Sequence, residues 1–136
     1  MKIINIYNNS VNGLEIHTDD RGTIADVFFS TSINHVAYIS SIPNAERGNH
    51  YHKYSTQSIL IVKGSLEYWY KNAESNEESE YVLATPGDLI TSEPSEIHAL
   101  RIGESGCEFV AFTVGKRGGA DYESDTFRVE SIFREQ

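Results

Sequence analysis

The sequence predicts an all-β fold, a small antiparallel β-barrel or jelly roll, and three observations carry that expectation. About ten short runs rich in β-branched and aromatic residues recur along the chain, the spacing expected of a barrel or sandwich. Clusters of Gly, Pro, Asn and Asp separate these runs as turns. No stretch keeps a helical apolar period through several turns, so no long amphipathic helix competes with the strands. A single domain, residues 1–136, is expected, because one core of ~100 to 150 residues is the commonest domain size.

Taken in order, Lys2 to Tyr7 alternates around Ile3, Ile4 and Ile6 as a first strand, and Asn8-Asn9-Ser10 turns it. An apolar edge strand invites pairing, so this one is expected to build a two-fold homodimer. Gly13 to His17 reads as a second strand, followed by a tight turn at Asp19-Asp20-Arg21-Gly22. Thr23 to Phe29 and Ile33 to Ser40 are further strands, and Ile42 to Glu46 is a loop holding Pro43. Ser58 to Val62 is expected to reverse through Lys63-Gly64 into Ser65 to Tyr70 as a hairpin. Along that return arm Leu66, Tyr68 and Tyr70 share one face, while Trp69, on the other, reads as core.

Lys71 to Ser79 is polar and acidic, a solvated loop. Tyr81 to Ala84 and Leu89 to Ser92 are strands around a Pro86-Gly87-Asp88 turn, and Glu93-Pro94-Ser95 delivers another, Ile97 to Ile102. Glu108 to Val114 closes the barrel, with Phe109, Val110, Phe112 and Val114 read as core. A basic loop, Lys116-Arg117-Gly118-Gly119, leads to Thr126 to Phe133, a strand or short closing helix.

Composition removes several functional classes. The 39% hydrophobic content, with 8 Tyr and 6 Phe, is too apolar for a disordered chain. With 11 basic against 20 acidic side chains the net charge is -9, which excludes nucleic acid or an anionic membrane as the main partner. Any anionic ligand must find a local basic patch. No apolar run reaches the ~18 residues of a membrane span, and Met1 to Asn9 does not read as a secretory leader, so a cytoplasmic location is expected. Cys107 is the one cysteine; an internal disulfide is excluded and a buried thiol expected.

The chemistry concentrates between Arg47 and Gly64. If His50 to His52 is extended, the period of two turns both imidazoles to one face and Tyr51 to the other. Gln57, at the entrance of the next strand, approaches the same place, and His98 arrives from Pro94-Ser95-Glu96-Ile97-His98. His17 and His35 lack ligand-type spacing and are read as structural or exposed; Lys53 is expected to be exposed. Three neutral imidazoles suit zinc, iron, manganese or nickel, although Gln57 brings no negative charge to such a site. The same rings, titrating near neutrality, can instead take and return protons.

Two histidines one residue apart, Gln57 five positions after the second, a glycine turn and a distant Pro94-x-x-x-His98 together resemble the two motifs of the cupin superfamily. That resemblance implies a double-stranded β-helix whose motifs usually supply His, His, Glu and His, with Gln57 here standing where the Glu would be. More narrowly, Arg47-Gly48-Asn49-His50-Tyr51-His52-Lys53, Val36-Ala37-Tyr38-Ile39 and Glu96-Ile97-His98 resemble the nucleotide-sugar 3,4-ketoisomerases of the WxcM-like group. Asp20-Arg21-Gly22 and Asp121-Tyr122-x-x-Asp125-Thr126-Phe127-Arg128 fit that group as well. Related sugar cupins are the 3,5-epimerases, with an Arg-Gly-x-His start, and the zinc-binding cupin domain of some capsular-sugar reductases, with a Gly-Asn-His-Tyr-His run.

The resemblance implies a metal-independent enzyme without cofactor, moving a ketone between C4 and C3 of a dTDP-4-keto-6-deoxyhexose through an enediol. His50 and His52 would be the acid/base pair, with Tyr38 a further proton donor or orienting group. Arg47 would offset charge on the enediolate or diphosphate, and Gln57 and His98 would contact substrate. Three alternatives stand beside it: a nucleotide-sugar 3,5-epimerase, a metal-dependent cupin binding zinc or iron through His50, His52, Gln57 and His98, and a non-catalytic sugar-binding cupin.

Overall fold

The computed structural model describes residues 1–8, 14–115 and 124–135. The expectations for Asn9, Ser10, Gly13, the Lys116 to Gly119 loop and Asp121-Tyr122 lie outside these residues. Ten strands are described: β1 (Lys2–Asn5), β2 (Ile16–Asp19), β3 (Gly22–Ala25), β4 (His35–Ser41), β5 (Glu46–Tyr51), β6 (Thr56–Asn72), β7 (Glu80–Ala84), β8 (Asp88–Ser92), β9 (Glu96–Val114) and β10 (Phe127–Arg128). The order β1-β8-β6-β9-β5-β10, with β4 also on β9 and β7 also on β6, is antiparallel throughout.

The long strands β6 and β9 make this a jelly roll. The first half of β6 pairs with β8 and with the second half of β9, which in turn pairs with β4. The second half of β6 pairs with β7 and with the first half of β9, which carries β5 and β10 beyond it. Two sheets therefore share two bent strands and face each other. Ile59, Ile61, Ile90 and Phe109 from one sheet meet Leu66, Tyr68, Leu100 and Ile102 from the other in a single core.

The expected hairpin through Lys63-Gly64 is corrected here: the chain runs straight on, bent by irregularities at Ile61/Lys63 and Gly64/Leu66. Gly64 has φ +81°, and a Cβ on it would lie 2.1 Å from the carbonyl oxygen of Gly106, itself at φ +77°. Glycine here signals a bend between sheets, which has the same composition cue as a turn. Gly64→Ala is expected to cost about 2–4 kcal/mol, from left-handed backbone plus overpacking, read as a shifted urea midpoint.

By the same continuity, the runs expected at Ile97 to Ile102 and Glu108 to Val114 are one strand, β9. Its alternation buries Phe109, Ala111 and Thr113 and turns Val110, Phe112 and Val114 to the outer face, correcting their assignment to the core. The third strand stops at Ala25 rather than Phe29, and Phe29 is 74% exposed. The closing element is the short β10 followed by irregular chain. Ile132 and Phe133 from that segment cover Trp69, Ile97 and Ala99 on the outside of the second sheet. Cys107 is buried, as expected of a lone apolar thiol. No described helix is long and apolar enough to cross a membrane.

Candidate active site

A bulge in β5 creates the site. The pairing with β9 shifts between Gly48 and His50, and both Gly48 (φ +87°) and Asn49 (φ +58°) are left-handed. Side chains three apart on a regular strand point to opposite faces; the extra residue puts Arg47 and His50 on the same inner face. Gly48 is required there, since a Cβ would lie 2.7 Å from the His98 carbonyl oxygen. Asn49 suits the left-handed position, and its side-chain oxygen accepts from the Ile132 amide at 2.9 Å.

His50 pairs across the sheet with His98, while His52 follows just beyond the strand end. The ligand atoms of His50, His52 and His98 all lie within 4.8 Å of one another. Ring centroids are 5.1 Å apart for His50–His52, 4.7 Å for His50–His98 and 5.4 Å for His52–His98. Tyr51 turns to the other face and stacks on Phe127 at 5.3 Å.

Two of the three tautomers follow from hydrogen bonds. His52 Nδ1 lies 2.9 Å from the carbonyl oxygen of Asp125, and a carbonyl can only accept, so Nδ1 carries the proton. His98 Nδ1 is 3.3 Å from the Glu96 carbonyl and 3.1 Å from Ser92 Oγ. Both Nε2 atoms are thus left as lone-pair acceptors. That of His98 is buried and has no hydrogen-bond partner among the described residues, which leaves it able to accept a bond from a bound group. Burial first, then the adjacent His50 and His52, push the His98 pKa down to about 3, so it stays neutral at physiological pH.

His50 and His98 line a cavity of about 390 Å³, together with Ile39, Arg47, Gln57, Tyr68 and Arg128 among others, while His52 lies buried behind its wall. A depression of about 530 Å³ elsewhere is larger, but it contains no histidine and is lined by Glu46, Glu67 and Glu104 against Arg101. Among the described residues the histidine cavity is lined by two arginines, Arg47 and Arg128, and one acid, Glu46, which is engaged by Arg101 at 3.1 Å. A local positive balance in a chain of net charge -9 is the patch an anionic ligand needs.

Gln57 reaches the cavity from β6, while His17 and His35 stand apart from the cluster. Lys53 is exposed, its ammonium 4.3 Å above the Phe127 ring. Tyr38 is not brought to the cavity. Alternation along β4 sends Ile39 inward and leaves Tyr38 59% exposed on the outer face, where its hydroxyl donates to Glu108 at 3.0 Å. That bond is the main reason its pKa is raised.

Sequence reasoning missed Tyr68, Ser92 and Arg128. Tyr68 is buried beside His98 in a stacked orientation, 6.3 Å between centroids, and donates to Glu96 at 3.2 Å. Burial and the Glu96 charge keep it protonated well above the ordinary tyrosine range. Ser92 joins it to His98 Nδ1. The only signal for Tyr68 was its place in the Leu66-Tyr68-Tyr70 alternation, which marks a face without saying what it lines.

The donor set also fits a divalent ion: the His52 and His98 lone pairs converge with His50, and Gln57 can offer a neutral oxygen. Such an ion would act as a Lewis acid toward a bound carbonyl.

Fold and site together define a cupin-like jelly roll with convergent histidines at one cavity. The chain belongs to the family described as the polysaccharide biosynthesis C-terminal domain, whose model matches residues 17–108. A relative is the UDP-2-acetamido-2,6-beta-L-arabino-hexul-4-ose reductase of Pseudomonas aeruginosa, 26% identical over 81 residues. That match takes in 53% of this chain but only 22% of the reductase. Among solved structures, a 3,4-ketoisomerase from Helicobacter canadensis superposes with TM-score 0.74 at 18% identity, covering 94% of this chain and 90% of that one. QdtA, a sugar 3,4-ketoisomerase from Thermoanaerobacterium thermosaccharolyticum in complex with TDP, gives TM-score 0.71 at 18% identity, covering 95% and 88%. These likenesses establish the RmlC-like cupin fold.

Proposed function

We propose that the protein is an isomerase of nucleotide-linked 4-keto-6-deoxy sugars, a 3,4-ketoisomerase acting on a dTDP-4-keto-6-deoxyhexose. The observation that carries this reading is one half-buried imidazole, His50, opening on a cavity with two more imidazoles behind it and two arginines among its walls. The likeness to ketoisomerases, one of them holding TDP, supports the choice of substrate class.

In this reading a histidine base removes the C3 proton of the 4-keto sugar, and the electrons move onto the C4 carbonyl oxygen to give an enediolate. The proton of the C3 hydroxyl passes to that C4 oxygen as the C=O forms at C3, and the paired histidine delivers a proton to C4, leaving a C4 hydroxyl. His50, which lines the cavity, and His52, behind it with Nδ1 held by the Asp125 carbonyl, form the pair. His98 remains neutral and holds a substrate hydroxyl rather than giving it a proton. Arg47, its Nε tied to Ser41 Oγ at 2.7 Å, and Arg128 meet the enediolate and the diphosphate.

Incubation with dTDP-4-keto-6-deoxyglucose in deuterated water tests the assignment: a 3-keto product deuterated at C4 is expected. Exchange with the ketone retained at C4 would indicate a 3,5-epimerase instead, and no exchange on any 4-keto sugar a non-catalytic binder.

The fit of the three imidazoles to a divalent ion favours a second reading, a metal-dependent cupin. With Gln57 in place of a carboxylate, an ion would enter a site without compensating negative charge and compete with protons on the rings. Activity is therefore expected to survive exhaustive chelation, and Gln57→Glu to raise divalent-metal affinity, measured by calorimetric titration. Inactivation on zinc removal with recovery on its return would promote the metal-dependent reading.

Strand β1 ends the sheet with no partner on its outer edge among the described residues, which suits a two-fold homodimer built on it. Light scattering at micromolar concentration should give twice the chain mass; a monomer would count against it. A nucleotide-linked substrate and one buried thiol suit the cytoplasm, which cell fractionation would check.

A further inference from the structure

The proposed mechanism uses His52 but leaves unexplained what holds it. Its ring depends on a residue more than seventy positions away. Asp125 is 2% exposed, and its carboxylate is gripped by the turn that immediately follows His52. Oδ1 accepts from the Lys53 amide at 2.9 Å and the Tyr54 amide at 3.2 Å. Oδ2 accepts from the Ser55 amide at 3.1 Å and from Ser55 Oγ at 2.9 Å. The main-chain carbonyl of the same residue accepts His52 Nδ1–H at 2.9 Å. The bonds close a ring: His52 to the Asp125 carbonyl, the Asp125 carboxylate to residues 53–55, and along the chain back to His52.

Such a ring does more than bury a charge. A carboxylate with donors from three successive amides has little freedom to rotate or shift, so the carbonyl attached to the same Cα is fixed relative to His52. A fixed acceptor at Nδ1 selects one tautomer and one ring plane. Neighbouring contacts hold the segment from the same side: β10 pairs Arg128 with His50, and the Val129 amide donates to the Asn49 carbonyl at 2.9 Å.

We propose that Asp125 is the positioning residue for His52: its carboxylate locks the carbonyl that keeps the Nδ1–H tautomer and aims the Nε2 lone pair at His50 and His98. The catalytic consequence rests on the acid/base reading of His52; the tautomer does not.

The test reads the rings directly, by long-range ¹H–¹⁵N correlation on the full chain at one neutral pH. Wild-type His52 and His98 should both show a protonated Nδ1 and an unprotonated Nε2. In Asp125→Ala the His52 nitrogens should move toward the averaged values of a mixed tautomer while His98, held by Glu96, stays unchanged. Ser55→Ala, which removes one donor and leaves the three amides, should move His52 the same way by less. Kinetically, Asp125→Ala is expected to lower kcat about ten- to a hundredfold with KM nearly unchanged, and Asp125→Asn, which keeps an accepting oxygen, to fall between.

An Nε2–H tautomer of His52 in the wild type overturns the proposal. So does a folded Asp125→Ala, recognised by unaltered His98 signals, in which His52 matches the wild type. If Asp125→Ala does not fold, the wild-type tautomer and Ser55→Ala decide. A tautomer shift in a protein that turns over no 4-keto sugar would keep the positioning role and remove the isomerase reading.

Discussion

Replacing His50 or His52 by Asn is expected to lower kcat on a dTDP-4-keto-6-deoxyhexose by about 10²- to 10⁴-fold, the contribution of one positioned acid or base. Asn keeps polarity and roughly the size of the imidazole, so little stability should be lost. At His52 the Asn amide can still donate to the Asp125 carbonyl, preserving the buried contact while removing the titratable ring. The two variants should differ in character. His50 faces the cavity, so its loss should also alter KM; His52 is 6% exposed, and its loss should fall on kcat. Steady-state kinetics followed by NMR of the sugar would check both. Full activity in both variants would remove the acid/base assignment.

Acid should unfold the protein through His98. Its pKa lies at about 3 in the folded state against 6.5 for the free side chain, because burial and two neighbouring imidazoles oppose its charge. Between those values the unfolded chain binds a proton that the folded one refuses. His98 therefore contributes stability in full above pH 6.5, and that contribution is lost as pH falls toward 3. Near the middle of the window the loss approaches about 1.4 kcal/mol per pH unit. Urea unfolding at pH 6.5 and pH 5 isolates the effect from most carboxylates. The wild type should lose roughly 1.5–2 kcal/mol more over that interval than His98→Asn. Equal slopes in the two proteins would mean that His98 charges freely when folded.

The sequence by itself determined the fold class and which histidines cluster. Runs rich in β-branched and aromatic residues, divided by Gly, Pro, Asn and Asp and without a helical period, favour strand pairing over helix, and that is a local property. The His50-x-His52 spacing places two rings on one side because a strand alternates, and Trp69 and Cys107 were legible as core from their type and neighbours.

Tertiary structure decided what depends on which strand lies opposite. Gly64 reads identically as a turn or a bend; only Gly106, on the facing strand, makes it a bend. Tyr38 and Ile39 are adjacent and both apolar enough to point inward, and their facing was set by register against Val110 and Phe109. Arg47 and His50 share a cavity through a bulge at Asn49, which no period of two can foretell. Asp125 reaches His52 across a separation of 73 positions, and Tyr68 meets His98 because β6 and β9 pair along their whole length. The histidines proposed to carry the chemistry sit in short-range patterns, whereas the residues that hold them in place do so through long-range contacts whose energy exists only once the sheets have closed.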